Sequence, residues 1–443
     1  MRTLYVRGSF HRAFIKAPYI IAAIITGLVS VGFGTVVDRV TEFASHMLKT
    51  QPLVFLALTP MAFGLSRWFV QKFGVAASGS GIPQVMAALS VDTHTRAQIE
   101  PLLNFKILLA KIVSGCLCLL GGGIVGREGP MVQVSAIIFL GVGDVFRKFK
   151  ARVDYHSLIV AGGAAGVAAA FNTPLGGIVF AIEELLSQHF SKVRSALIVA
   201  VIIAGMVAQS FLGPYLYLGA VPLQTPKFSF IVPLLTVSAL AGLMGGFFGK
   251  ALIFTQTSIG DWSARRRLLW AVLCGFIVAL FLVFMSDQAP YVTGGGTRLI
   301  RDILWQGKTV DFLLVLERFV VSLVTFISGC AGGIFAPSLA FGAALGKCLV
   351  YVFSGTDPVA LTLIGMVSFL ASVTRAPFTS MVLVTEMSDG HGLSLHVLLA
   401  SLFAVGVARS VESRSYYHFQ AEFYRRWITP QEPESDAESD QTR

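Results

Sequence analysis

Long apolar runs, separated by short polar breaks, recur from residue 17 to residue 411. Five of these runs approach or exceed the roughly 20 apolar residues that a membrane-spanning helix needs: 17–37, 105–125, 195–212, 231–254 and 268–284. A soluble chain of 443 residues would instead divide into two or three units joined by polar linkers. The pattern predicts an all-α, polytopic membrane protein that lies in the lipid bilayer.

Other apolar stretches are too short to cross a membrane, among them 80–89, 174–186 and 377–387. The last two open on a proline, which is favoured in the first turn of a helix. A broken backbone at membrane depth is tolerated only where it is buried in protein or lines a polar cavity. These stretches therefore predict tilted and broken helices that begin inside the membrane.

The two halves of the chain resemble each other. In each half a proline is followed nine residues later by a glutamate: Pro174 with Glu183, and Pro377 with Glu386. Further upstream, Pro130 precedes the first pair by 44 residues and Pro337 precedes the second by 40. Transporters built from repeats place their sites where broken helices of the two halves meet. We therefore interpret residues 17–213 and 231–411 as two membrane repeats.

Four shorter segments complete the division of the chain. They are a cytoplasmic N-terminal segment at 1–16, a connection at 214–230, a C-terminal helix at 412–428 and an acidic tail at 429–443. The tail contains three glutamates, two aspartates and no large apolar residue, which is typical of disorder.

Composition and charge support the membrane interpretation. Hydrophobic residues make up 55% of the chain and charged residues 13%, against about 25% charged in soluble domains. The net charge of +10 comes largely from basic clusters between apolar runs, such as Arg147 with Lys148 and Arg265 with Arg266. Short basic loops mark the cytoplasmic side. This predicts cytoplasmic N- and C-termini in the cell (inner) membrane, and no nucleic-acid partner.

The cysteines and histidines indicate no cofactor. The five cysteines all lie in apolar segments, and the eight histidines are scattered without ligand spacing. We therefore expect no metal site and no cofactor.

Three glycine-rich motifs lie at membrane depth, and each ends on a proline that can start a helix. They are Gly79-Ser80-Gly81-Ile82-Pro83, Gly126-Arg127-Glu128-Gly129-Pro130 and Gly332-Gly333-Ile334-Phe335-Ala336-Pro337. Free N–H groups and about half a positive charge at a helix N-terminus suit an anion. A permeating ion must be stabilised and still be able to leave.

Together the three motifs, in this order and with the repeat, resemble the CLC family of chloride channels and proton-coupled chloride exchangers. The resemblance extends along nearly the whole chain. It implies the CLC fold, an inverted two-fold repeat, and a homodimer with a separate ion path in each subunit. It also implies a transporter rather than an enzyme, with chloride as the bound substrate and protons as the exchanged ion.

The resemblance implies four anion ligands: the Ser80 hydroxyl, the Tyr417 hydroxyl and the backbone amides of Ile334 and Phe335. Ser80 could alternatively be an ordinary helix cap. Tyr417 could be an interfacial belt residue, and the adjacent Tyr416 competes with it for the ligand role. The supporting loop residues are Gly79, Gly81, Pro83, Gly126, Gly129, Pro130, Gly333 and Pro337.

Two carboxylates carry the proton chemistry that the resemblance implies. Glu128 fits the gating glutamate, which would compete with the anion for the same N–H donors until it is protonated. Glu184 fits the inner proton-transfer glutamate, although it could instead be solvated at a helix end. Arg127 and Lys111 are interpreted as buried structural charges that raise the potential for anions. Met86 replaces an acidic side chain that some family members have beside the inner proton route.

A passive chloride-selective channel of the same fold is the alternative function. Glu128 together with Glu184 favours exchange over a channel. An intramembrane protease is disfavoured because Gly79-Ser80-Gly81 lacks the spacing of a serine nucleophile motif. A structural scaffold would not account for carboxylates at membrane depth.

Overall fold

The structure is a computed structural model that describes residues 2–90, 95–150, 153–186, 190–213, 216–223 and 228–429. Apart from Thr429, the acidic tail expected at 429–443 lies outside these residues. The described part of the chain forms nineteen α-helices and no extended strand, as the all-α prediction requires.

The helices of the first half are α1 (Arg2–Thr50), α2 (Phe55–Phe73), α3 (Ile82–Leu89), α4 (Arg96–Ile99), α5 (Phe105–Leu120), α6 (Glu128–Lys148), α7 (Tyr155–Phe171), α8 (Pro174–Phe180) and α9 (Phe190–Leu212). The helices of the second half are α10 (Ile231–Ile259), α11 (Ala264–Phe284), α12 (Ala289–Val292), α13 (Thr297–Trp305), α14 (Phe312–Ile327), α15 (Phe335–Leu349), α16 (Pro358–Thr374), α17 (Pro377–Ser388), α18 (Ser394–Val411) and α19 (Tyr416–Arg425).

Six segments of the described chain are long and apolar enough to cross a membrane by length and composition. They are Lys16–Thr50, Pro52–Phe73, Glu128–Lys148, Ile231–Ile259, Ala264–Phe284 and His391–Val411. Shorter apolar helices include α7, α15 and α16. Their residues are buried along almost their whole length, which is the environment that membrane-embedded helix ends require. The protein is therefore a multi-pass membrane protein.

Short polar residues start several of these helices. The side chains of Asn104, Asp154 and Asp311 each accept a backbone N–H from three residues ahead, at 3.0, 2.9 and 3.0 Å. Each bond satisfies one of the donors that a helix start leaves free. The polar breaks seen in the sequence thus fix where α5, α7 and α14 begin.

Some boundaries differ from the sequence prediction. Helix α1 runs unbroken from Arg2, so the segment 1–16 continues into the first membrane helix instead of forming a separate element. Helix α5 ends at Leu120 because Gly121 to Gly123 leave the helical path. Helix α19 covers only Tyr416–Arg425, since Glu412 is extended and ends α18.

The internal repeat is visible in two matching breaks. Asn172, directly after α7, has φ 57°, and Arg375, directly after α16, has φ 68°, both in the left-handed region. Two residues later a proline starts the next helix, Pro174 in α8 and Pro377 in α17. Proline cannot continue the preceding helix but suits the start of the next one. The same local chemistry therefore builds both breaks of the two-fold repeat.

Candidate functional site

The three glycine-rich loops meet in the interior and are joined by backbone hydrogen bonds. Gly79 donates to the Cys330 carbonyl (3.1 Å), and Gly332 donates to the Gly79 carbonyl (3.0 Å). Gly126 and Gly333 exchange two bonds of 2.8 and 2.7 Å. Helices α3, α6 and α15 begin directly after these loops. Their first-turn N–H groups and positive dipole ends thus lie around one region, as expected of an anion site.

Ser80 and Tyr417 lie together in this region. Their hydroxyl oxygens are 3.5 Å apart, and both residues are buried, with 3% and 1% of their surfaces exposed. Tyr416 is also buried but lines a different cavity, beside Gln420 and Tyr424. The structure therefore places Tyr417, and not Tyr416, against the proposed anion-coordinating serine.

Ile334 and Phe335 form the start of α15 and are buried. The Phe335 ring has edge contacts with Phe171, Phe180 and Tyr417, with ring centroids 6.0, 6.1 and 6.4 Å apart. These apolar rings exclude water from one side of the helix start. Any ion there would depend on the backbone N–H groups and the two hydroxyls for its solvation.

Close packing explains the glycine of the second loop. A Cβ on Gly129 would collide with the Ser80 Oγ and come within 3.1 Å of the Gly333 Cα. Any other residue at position 129 would push the three loops apart. The glycine requirement here comes from contact between loops, so the sequence motif records a tertiary constraint.

Glu128 is the first residue of α6 and is 2% exposed. A Cβ added to Gly126 would collide with the Glu128 Oε2 and come within 3.1 Å of the Ala336 Cβ in the first turn of α15. This carboxylate oxygen has no hydrogen-bond partner among the described residues. The carboxylate thus lies beside the start of α15, where a small anion would otherwise bind.

On its other side Glu128 faces a cavity of about 990 Å³, which we call the Glu128 cavity. Its lining includes Asp38, Arg127, Tyr217 and Arg301. Arg127 is 7% exposed, and its Nη1 lies 3.6 Å from an Asp38 oxygen. Arg127 is therefore paired with Asp38 of α1, and it forms no ion pair with its neighbour Glu128.

Lys111 is fully buried and supports the first loop. Its Nζ donates to the carbonyls of Ser78 (3.3 Å) and Gly79 (2.9 Å). These bonds hold the carbonyl groups away from the space beside Ser80. The expected structural role of this buried charge agrees with its contacts.

Glu184 lies in a π-helical turn, Ala181–Leu185, that extends α8. Its Oε2 is buried and unpaired within the part of the chain that the structure describes. Glu184 therefore keeps a buried carboxylate oxygen that can take up a proton.

Glu183 points elsewhere, although it is adjacent to Glu184. Its carboxylate accepts the backbone N–H groups of Phe378 (3.1 Å) and Thr379 (2.6 Å) at the start of α17. Glu386 accepts those of Leu175 (3.1 Å) and Gly176 (2.7 Å) at the start of α8. Each repeat thus caps the broken helix of the other, which agrees with the structural role expected for both residues.

The family model of the voltage gated chloride channel matches residues 62–409. This range covers more than three quarters of the chain and contains all three loops. The protein belongs to this CLC family.

Curated relatives of this CLC protein include two named H(+)/Cl(-) exchange transporter ClcA. That of Vibrio parahaemolyticus is 31% identical over 425 residues, which cover 90% of this chain and 88% of the relative. That of Klebsiella pneumoniae is 31% identical over 435 residues, covering 94% and 89%.

Solved structures agree with the fold. A slow cyanobacterial Cl-/H+ antiporter is 25% identical with a TM-score of 0.78, covering 94% of this chain and 99% of that one. A CLC-type fluoride/proton antiporter is 23% identical with a TM-score of 0.72, covering 92% and 97%. The second likeness concerns the fold alone.

Sequence reasoning missed one charged residue of this CLC protein near the loops. Arg67 in α2 is 5% exposed and donates from Nη1 to the Ser78 hydroxyl (3.2 Å) and the Gly329 carbonyl (2.8 Å). A single arginine in the apolar run of α2 was the available signal. Arg67 lies outside the three glycine-rich motifs, so the motifs do not indicate it.

Proposed function

We propose that this protein is a proton-coupled chloride antiporter, with Glu128 as its gate. The observation that carries the proposal is the position of the Glu128 carboxylate beside the start of α15, with Oε2 unpaired among the described residues. A carboxylate and a chloride ion compete for the N–H donors of a helix start. Protonation removes the charge of the carboxylate, which then no longer competes for these N–H donors. Anion binding and proton binding at this site are thereby linked.

Chloride is the substrate that the ligand set favours. Two hydroxyl donors, from Ser80 and Tyr417, lie 3.5 Å apart and can both point at one ion beside them. The backbone amides of Ile334 and Phe335 supply further donors without a full positive charge, which lets the ion leave again. The relatives named as H(+)/Cl(-) exchangers support the same assignment.

Protons need a separate route on the far side of the gate. Glu184 supplies a buried carboxylate that accepts and releases protons there. Met86 is a buried apolar residue, and it adds no second carboxylate to the route. We propose that protons pass between Glu184 and Glu128 while the anion moves past the Ser80 and Tyr417 hydroxyls.

The assembly we propose is a homodimer with one ion path per subunit. The outer faces of α8, α9, α17 and α18 carry large exposed apolar side chains, among them Leu175, Met206, Phe378 and Leu395. Capping of α8 by Glu386 and of α17 by Glu183 holds two of these helices as one rigid face. A second copy would bury this face.

The orientation follows from charge. Basic residues at the ends of α6 and the start of α11 predict that these ends lie in the cytoplasm. We propose an inner-membrane protein with both termini cytoplasmic, so that the Glu128 cavity opens to the opposite side.

The deciding experiment measures chloride and proton fluxes together in liposomes that contain the purified protein. An imposed chloride gradient should drive protons uphill. Chloride flux without any proton movement would instead establish a passive channel of the same fold.

A further inference from the structure

Two buried cations lie beside the first anion loop. Arg67 contacts Ser78 and the turn at Gly329, while Lys111 contacts Ser78 and Gly79 from the other side. Neither side chain has a carboxylate oxygen within 4.0 Å in the described residues. Burying an ionised group without a counter-charge is costly. The two cations therefore create a strong local preference for an anion.

Arg67 also retains an unused donor. Its Nε is buried and has no hydrogen-bond partner among the residues that the structure describes. Arg67 lines a cavity of about 60 Å³, which we call the Arg67 cavity, together with Ser78, Gly79, Arg267 and Gln420. Arg267 is half-buried, and its Nε is likewise unpaired in the described chain. Two guanidinium groups thus line one small polar cavity.

The Arg67 cavity adjoins the anion loop on the side away from Glu128. Gly79 belongs to its lining and directly precedes Ser80, whereas the Glu128 cavity is lined by Gly126 and Glu128. The volume is sufficient for a small inorganic anion and a water molecule. An anion there would lie in a cavity that two arginines line, next to the loop that carries Ser80.

We propose that Arg67 is a specificity-determining residue that binds the transported anion in the Arg67 cavity, with Arg267 contributing charge. The inference rests on the proposed function, because the ion it concerns is the one that the protein transports. Arg67 sets the affinity for that anion on one face of the protein only. It takes no part in the proton step, since the candidate proton carriers Glu128 and Glu184 are absent from the cavity lining.

A purely structural role would give a different result. Arg67 also fixes the loops, because its Nη1 bonds link Ser78 and Gly329, and the Ser78 hydroxyl itself donates to the Gly329 carbonyl at 2.9 Å. Arg375 provides a matched control: it donates to the carbonyls of Val405, Ala408 and Glu412 and lines neither of the two cavities.

The test compares chloride flux in right-side-out and inverted membrane vesicles that contain the full-length protein. Chloride is varied only in the solution outside the vesicles. Each preparation therefore reports the KM for chloride at one face of the protein. Arg67→Gln should raise the KM for chloride by about tenfold in one preparation, the size expected from a lost charge-assisted hydrogen bond. The proton-to-chloride ratio should not change. Arg67→Lys should keep the KM within about threefold of the wild type.

Several outcomes would overturn the inference. An unchanged KM for Arg67→Gln in both preparations removes Arg67 from anion binding. An equal rise in KM for Arg375→Gln assigns the effect to folding. If Arg67→Gln is poorly folded, the chloride affinity of detergent-solubilised Arg267→Gln is measured by titration calorimetry. An affinity equal to that of the wild type would contradict anion binding in the Arg67 cavity. If the wild type moves no chloride at all, the proposed antiporter function is wrong. This result differs from an unchanged KM in Arg67→Gln, which contradicts only the role of Arg67.

Discussion

Glu183 and Glu386 are related by the internal repeat, and each caps the helix that leads to the other. Glu183 belongs to the segment that starts at Pro174 but binds the start of α17, while Glu386 belongs to α17 and binds the start of α8. The four bonds measure 2.6 to 3.1 Å. A carboxylate at a helix N-terminus also interacts favourably with the helix dipole. The two halves are therefore joined by a symmetric pair of charged caps.

This pairing predicts equal effects for equivalent substitutions. Glu183→Gln and Glu386→Gln should each lower stability by about 1.5–3 kcal/mol, because each loses at least one hydrogen bond to a charged group. Thermal unfolding of the detergent-solubilised protein measures this. Glu100→Gln, at an exposed carboxylate, is the control and should change little. Strongly unequal losses at positions 183 and 386 would contradict the symmetric role.

Glu128→Gln should uncouple anion flux from proton flux. The neutral side chain can no longer alternate between occupying and vacating the N–H donors at the start of α15. Chloride flux should continue, with some loss of turnover, while proton flux falls to background. Simultaneous recordings with a chloride electrode and a pH electrode measure both. Wild-type proton pumping in this variant would remove Glu128 from the gate.

Glu184→Gln should give a different phenotype. Proton flux should fall by about a hundredfold, the scale of a lost proton-transfer group, while chloride still passes. The chloride flux should still respond to pH on the Glu128 side, because the gate itself is intact. Normal proton exchange in Glu184→Gln would mean that the proton route on that side uses another residue.

Ser80→Pro should shift selectivity from chloride towards nitrate. Proline removes both the hydroxyl that faces Tyr417 and the backbone N–H of the residue. Each lost hydrogen bond to a charged group costs about 1.5–3 kcal/mol, and compact chloride has fewer alternative donors than nitrate. Competition fluxes in liposomes measure the ratio. An unchanged ratio in well-folded protein would remove Ser80 from the ion site.

The sequence predicts those parts of the structure that depend on local chemistry. Prolines 130, 174, 337 and 377 locate helix starts because proline suits the first turn and disrupts the turn before it. The glycine-rich loops were recognisable for a similar reason. Helix α1 is harder to delimit from the sequence, since Pro18, which lies between its basic first residues and its apolar stretch, does not interrupt the helix.

Other features depend on packing between distant segments. The choice between Tyr416 and Tyr417 follows from how α19 packs on α3, which adjacent tyrosines in a sequence cannot reveal. The role of Arg67 depends on Gly329, which lies 262 residues away. The exchange of caps between Glu183 and Glu386 also needs the three-dimensional arrangement, although the repeat had marked both residues.

The backbone bonds that join Gly79 with Cys330 and Gly332, and Gly126 with Gly333, have a consequence for how such a protein can evolve. The main chain builds the frame of the site, so substitutions that keep its closely packed glycines, such as Gly129, leave its dipoles in place. Variation in ion preference then falls on the few side chains at the frame or beside it, such as those at positions 67, 80, 128 and 417. A single scaffold can in this way acquire different ion preferences by single substitutions, while the backbone bonds keep the relative positions of its loops unchanged.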